Sequence, residues 1–330
     1  MSPVVEVFDP LTAAPAELAA WSAAHVTGRR ELSGSAPEAD ELAERLGRGR
    51  AGRAWRWAGR MHAEGPILGT AELRRQPHDA GIGFLRLFVE ASARRNGMGT
   101  RLRSEASARA RAEGMSRLQS TVPAGRAGEA FARTSPHLRT LLHLELQVQP
   151  FDDETLRHCR RLACTPRRGY RITHWVGRAP EPLLPSFGRV MDHLLDAPGA
   201  AFQEEPRRWG PQDVRAWELR MTEDGSRLLV GAVVDRTSDQ VVAATVCTVT
   251  RGPVADQHDT AVLPAHRRRG LASRVKATQT LRVHENFPHV QAMVVTLNRE
   301  NTAMLEVNRL LGYEKTAERL LVEDDLTSRG

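Results

Sequence analysis

The chain has 330 residues, 41% of them hydrophobic and 26% charged, the balance of a globular protein at a length where one core usually gives way to two. A net charge of +7 and an isoelectric point near 10.2 come mostly from arginine, with acidic residues scattered among the basic ones; this describes a solvated basic surface and leaves room for an anionic ligand. Three cysteines (Cys159, Cys164, Cys247) without CxxC spacing, no basic-apolar leader in MSPVVEVFDP, and no apolar run longer than the strand-length Leu228–Val234 argue against a disulfide framework, a secreted chain and a membrane span; a cytoplasmic protein is expected.

In chain order, Val4–Phe8 has the pattern of a strand and Pro15–Thr27 of a helix, followed by a hairpin of Ala51–Arg60 with Ile67–Arg74. Gly81–Val89 is the next strand and Gly99–Glu113 a helix. Pro, Gly and charge in Thr165–Gly169 interrupt the pattern and mark a linker, giving expected domains 1–164 and 165–330. In the second half Arg171–Val176 is a strand and Leu183–Leu195 a helix. Gly210-Pro211 opens another helix, with Pro at a first-turn position where its missing N–H costs nothing. Leu228–Val234 and Val241–Val249 form a second hairpin.

The two halves repeat. RRNGMG (Arg94–Gly99) recurs as RRRGLA (Arg267–Ala272) 173 residues later, and the same offset pairs Phe84–Val89 with Gln257–Val262 and Arg117–Val122 with Val290–Val295. At this offset strand, turn, helix and next strand recur without a gap, as expected of a duplicated mixed α/β domain. A strand, a basic turn with two small residues and a helix form an arrangement suited to a pyrophosphate. Helix-start amides point outward with partial positive charge, and glycine permits close approach.

Both turns resemble the Q/R-x-x-G-x-G/A signature of the GNAT acyltransferases, through Arg94, Gly97 and Gly99 in the first copy and Arg267, Gly270 and Ala272 in the second. The second copy is the closer match, with Asp259-Thr260, His266–Leu271, Lys276, Thr296–Asn298, Asn301, Met304, Asn308 and Leu311–Tyr313 adding to the likeness. The resemblance implies an α/β fold with a mixed sheet in two tandem GNAT domains, the first degenerate and the second catalytic. It implies acetyl-CoA or another acyl-CoA as donor and an amine as acceptor. It places the cofactor arm in a gap between two splayed strands, on Ala261, Val262 and Leu263, and the pyrophosphate on Arg267, Arg268, Arg269, Gly270, Leu271 and Ala272. Arg94, Arg95, Gly97 and Gly99 hold the matching place in the first copy.

An amine nucleophile needs a proton acceptor. Asp256, His258 and Asp259 cluster on the strand before the turn, and strand alternation puts Asp259 on the face opposite the other two. Asp259 is the favoured base; bracing the neighbouring loop is its competing role. Asn298 and Asn301 are candidates to bond the cofactor arm, and Asn301 alternatively caps the following helix. Asn308 stands where many family members carry a tyrosine acid, and Tyr313 reads as a core aromatic. In the first copy Arg86 and Gly83 replace Asp259 and Asp256, leaving Glu72, read as solvent-facing, as its lone carboxylate candidate.

No HxxxH pair or zinc spacing and no G-x-S-x-G elbow occurs, so neither a metal nor a serine nucleophile is expected. The arginine runs lack interleaved aromatics, which counts against nucleic acid. The expectation is an N-acyltransferase acting on a small-molecule amine, as a monomer or homodimer, in natural-product tailoring or resistance. A CoA-binding sensor or scaffold without turnover and a mycothiol-synthase-like acetyltransferase are the alternatives.

Overall fold

The computed structural model describes residues 2–34, 36–49, 54–75, 81–202, 208–222 and 225–327. The chain forms two compact units, Met1–Leu144 with Glu318–Gly330, and Glu145–Ala317.

The first unit begins with β1 (Val4–Val7), α1 (Pro15–Ser33) and α2 (Ala39–Gly47). It continues through β2 (Trp55–Arg60), β3 (Gly69–Arg75), β4 (Ile82–Val89), α3 (Met98–Ala112), β5 (Arg117–Pro123) and α4 (Ala127–Ala132). α1 starts with Pro15 in its first turn and stops where Gly34 turns left-handed at φ 71°, its N–H returning to Arg30 O. The sheet runs β1-β2-β3-β4-β5, antiparallel except for β4 beside β5, and then takes in the later strands β12 (Glu314–Asp325) and β6 (Leu138–Pro150). Adjacent residues on β2 point to opposite cores. Ala58 joins Trp21, Leu42 and Leu46 of α1 and α2, whereas Trp57 joins Met98, Leu102 and Ala106 of α3. Each fully buried large side chain contributes roughly 1.5–3 kcal/mol.

The second unit holds α5 (Asp153–Cys164), β7 (Tyr170–Val176), α6 (Leu184–Met191), α7 (Pro211–Thr222), β8 (Arg227–Asp235) and β9 (Gln240–Val249). It also holds β10 (Val254–Val262), α8 (Leu271–Asn286), β11 (Ala292–Asn298) and α9 (Thr302–Leu310). Its strands run β6-β11-β10-β9-β8-β7. Phe187, Val190, Val214 and Trp217 of α6 and α7 pack on Val230, Ala232 and Val246, and α8 covers the other face through Val275 and Ala277.

Three expectations change. The division falls after Leu144 rather than Cys164, and Glu318–Gly330 return to the first unit. The residues 165–169 therefore join α5 to β7 inside the second unit. The repeat is not gapless: pairing Ile82↔Arg117 corresponds to Ala255↔Met293, so three residues are added between helix and last strand of the second copy. The expected helix through Leu195 ends at Met191 and tightens into a 3-10 turn, Asp192–Asp196. The first three residues of the expected Ala51–Arg60 strand lie outside the described residues.

Candidate functional site

In each copy two parallel strands meet briefly and then part. β10 pairs with β11 only over Val254–Asp256, and β4 pairs with β5 only over Ile82–Phe84. Beyond those points the strand edges carry backbone groups without a ladder partner on that side, which opens a gap at the C-terminal half of β10 and of β4.

The turn that follows closes the end of the gap. Pro264–His266 is one 3-10 turn, and Leu263 N–H donates to Val242 O at 2.9 Å. Arg268 and Gly270 both have positive φ, 58° and 68°, and Arg95 and Gly97 repeat the pattern at 68° and 82°. A left-handed arginine costs of order 1–3 kcal/mol, and it recurs at the same motif position in both copies. Alternating handedness turns successive amides to one side as an anion-binding concavity. The amides of Arg268, Arg269 and Gly270 donate to no acceptor among the described residues.

Side chains of the motif mostly brace this turn. Arg267 Nε donates to Val262 O at 3.0 Å, and its Nη2 pairs with Asp196, whose carboxyl is held below its ordinary range by hydrogen bonds from His193 and then Arg267. Tyr170 Oη lies 2.9 Å from His266 Nδ1 and accepts from Arg269 Nη1 at 2.8 Å. Arg167 and Arg274, outside the motif, are placed differently. A Cβ on Gly270 would stand 2.7 Å from Arg167 Nη2, and Arg167 Nε and Arg274 Nη1 are buried without acceptors. Burial, then the neighbouring Arg167, lowers the pKa of Arg274. Two adjacent guanidiniums with orphaned buried nitrogens beside open amides fit a phosphate-bearing ligand.

A bulge shapes the other end of the gap. The β9–β10 register passes from Gln257↔Cys247 to Thr260↔Thr245, so His258 and Asp259 both stand opposite Val246. Gln257 Nε2 donates to Val246 O at 2.7 Å and to Thr245 Oγ1 at 3.1 Å, stapling the irregularity. Strict alternation therefore does not hold across His258-Asp259, which corrects the expected assignment of Asp259 to the face opposite His258. His258 Nε2 lies 2.7 Å from Thr248 Oγ1, and Thr248 is the register partner of Asp256. Asp259 is surrounded by protein yet partly open to solvent, and desolvation raises its carboxyl pKa while His258 opposes the shift.

The asparagines have structural partners. Asn298 Nδ2 donates to Pro198 O at 3.0 Å, and Asn301 caps α9 by accepting from Met304 N–H at 3.2 Å. Asn308 is fully buried and its Nδ2 donates to Gln147 at 2.8 Å, an arrangement for packing rather than proton transfer. Tyr313 is a buried core aromatic as expected, with Lys276 Nζ 5.2 Å from its ring centroid. Glu72 is not solvent-facing: it is buried and ion-paired to Arg56, Arg74 and Arg86, and those charges hold its carboxyl well below the ordinary range against the opposing effect of burial. Among the described residues no group of three His, Cys, Asp or Glu side chains could hold a metal, and no helix is long and apolar enough to cross a membrane.

The Acetyltransferase (GNAT) family model matches residues 30–133. Over the whole chain, the structure is similar to a tandem GNAT protein from the clavulanic acid biosynthesis pathway, with a TM-score of 0.80, 18% identity and 100% of each chain covered. The fold is that of a tandem GNAT protein. A GCN5-related N-acetyltransferase from Sphaerobacter thermophilus is similar to this chain at a TM-score of 0.67 and 14% identity, over 98% of this chain and 96% of that one. No curated protein sequence matches. The family match falls on the first copy, whereas sequence motifs placed the closer likeness in the second. Arg167, Arg274 and Gln257 of the candidate site were missed, because only the folded chain brings Arg167 over Gly270 and Gln257 across the bulge.

Proposed function

We propose that the second unit transfers an acyl group, most simply acetyl, from an acyl-CoA to a small amine, with Asp259 as proton acceptor. The observation that carries this reading is a carboxyl with raised pKa on a bulge beside the strand gap, on the strand that leads into an amide-lined turn. A carboxylate poised nearer neutrality is a better base than an ordinary one.

The amides of Arg268–Ala272, with Arg167 and Arg274, would hold the phosphates, and the edge of Ala261–Leu263 that β11 leaves uncovered would orient the arm. Bound there, the donor supplies an activated thioester. Asp259 takes the ammonium proton, directly or through a water, and His258, fixed by Thr248, tempers the charge on the neighbouring carboxylate. Asn308 offers no acidic proton; the leaving thiolate, with a thiol pKa near 8.5, departs without a dedicated acid.

The first unit keeps the turn and the gap but has Arg86 where Asp259 stands, and Glu72 is committed to three arginines. Its role is binding or support without turnover. Similarity to the clavulanic acid pathway protein, at 18% identity, concerns the fold and leaves the acceptor to experiment.

The test is release of free CoA thiol from acetyl-, succinyl- and longer-chain acyl-CoA over a panel of small amines. Amine-dependent release, lost in Asp259→Asn, is expected. Donor binding without release across the panel would favour a sensor or scaffold instead.

A further inference from the structure

The first unit carries a cationic cluster on one face of its sheet. The pairings Arg56↔Glu72 and Glu72↔Arg86 line three side chains across β2, β3 and β4, and Arg74 joins from the next same-face position on β3. Glu72 Oε1 accepts from Arg74 Nε at 2.8 Å and Arg86 Nη1 at 3.2 Å, while Oε2 accepts from Arg56 Nε at 3.0 Å and Arg74 Nη2 at 3.3 Å. A carboxylate offers about four lone-pair sites, so Glu72 is saturated. His25, stacked on Trp21 and pulled by burial to a pKa of about 3, adds no charge. Arg29 of α1 adds another cation within reach of Arg86. Three guanidiniums, those of Arg56, Arg74 and Arg86, therefore share one carboxylate, and burial, followed by repulsion from Arg29, lowers Arg86 to about 10.

Arg86 is the open end of this cluster. Nη1 is used on Glu72, whereas Nε and Nη2 have no acceptor among the described residues. Its side chain is 33% exposed, so an incoming group can reach it. Arg86 lies beyond Phe84, where β4 has parted from β5, and Phe84 steadies the guanidinium with its ring centroid 5.4 Å away. The free Nε/Nη2 edge is the side of a guanidinium that meets two carboxylate oxygens with parallel hydrogen bonds.

We propose that the first unit binds a carboxylate-bearing small molecule on Arg86, the carboxylate belonging either to a free organic acid or to the acid-terminated acyl chain of a CoA thioester. The incoming group supplies the negative charge that Glu72 alone does not. This site is independent of turnover in the second unit, so loss of one reading leaves the other standing.

Calorimetric titration of the full chain tests it, with acetate, succinate, glutarate and inorganic phosphate as free probes and acetyl-CoA and succinyl-CoA as thioesters. At least one carboxylate probe is expected to bind, and Arg86→Gln to weaken it tenfold or more while Asp259→Asn leaves it unchanged. Tighter binding of succinyl-CoA than acetyl-CoA, with the difference erased in Arg86→Gln, assigns the acyl chain. Binding of a free acid, with the two thioesters equal, assigns the free acid. Phosphate binding alone, no carboxylate binding in any arm, or an unaltered affinity in Arg86→Gln overturns the proposal. Should Arg86→Gln fail to fold, Arg86→Lys decides: it keeps the charge but not the fork, so an undiminished affinity there is equally fatal.

Discussion

Arg94 and Arg267 make the same bond 173 residues apart: each donates Nε to the carbonyl five positions earlier, Val89 at 2.9 Å and Val262 at 3.0 Å. Each also reaches an acidic residue with Nη2, Glu31 in the first unit and Asp196 in the second. The leading arginine of the motif therefore fastens the turn to the strand before it. In the proposed reading, ligand recognition then falls to the amides and to Arg167 and Arg274.

Asp259→Asn should lower kcat by about 10²–10⁴-fold in the amine-dependent reaction. Because desolvation raises the Asp259 pKa, the acidic limb of the parent's rate profile should lie above the ordinary carboxylate value of about 3.9. Activity falls as pH drops through that limb, and the limb should vanish in the variant. An unmoved profile with near-parental kcat would transfer the role to Asp256 or His258.

Matched changes at the two turns separate the units. At Gly97 a Cβ meets nothing within 4 Å, so the cost of Gly97→Val is chiefly that of a β-branched residue at positive φ, above the roughly 1–2 kcal/mol of an unbranched one. At Gly270 it would strike Arg167. Gly270→Val should raise KM for acetyl-CoA at least tenfold, whereas Gly97→Val should leave kcat and KM within about twofold. Valine is the cleaner probe, because a glutamate at 270 would pair with Arg167 and compensate its own charge. Arg167→Gln should raise KM without changing kcat.

Lys276 tests the second core. Burial pulls its pKa from 10.5 to about 7, so the folded chain gives up this proton more readily than the unfolded chain. Between about pH 7 and 10 the unfolded state holds more protons, and the Lys276 contribution makes stability rise with pH across that window. Below pH 7 the full penalty, on the order of 4–5 kcal/mol, persists. Lys276→Met should therefore raise the melting temperature most at pH 6, by roughly 5–10 °C, with the gain shrinking toward pH 10.

Glu72→Gln should destabilise the first unit by about 3–5 kcal/mol, since it strips the shared counter-charge from buried Arg56 and its neighbours. The Glu72 carboxyl is depressed in the folded state, so its contribution is present above the unfolded glutamate pKa and is lost as pH falls toward the folded one. Denaturant titrations at pH 7 and pH 3 should show a difference from the parent that narrows at the lower pH.

The sequence made the repeated strand, turn and helix legible because their signals are local: a glycine-bearing basic turn between an apolar strand and a helix. Asn301 was legible as a cap for the same reason. The Glu72 cluster was not, because Arg56, Glu72 and Arg86 meet only through cross-strand register. The Asp259 bulge escaped because one extra residue on β10 leaves no compositional mark. β12 escaped because its partner β5 lies nearly two hundred residues away, pairing Arg319 with Pro123 through Asp325 with Arg117.

That last pairing has a consequence for synthesis on the ribosome. The second unit is one unbroken stretch, Glu145–Ala317, and its residues emerge together. The first unit starts earlier yet finishes later, because β5 keeps an unpaired edge until residues 319–325 have left the exit tunnel. At about 5–20 residues per second that edge waits on the order of ten seconds or more, during which it is open to wrong partners. The half made first is thus the half completed last, and vectorial folding of this chain proceeds from the second unit outward.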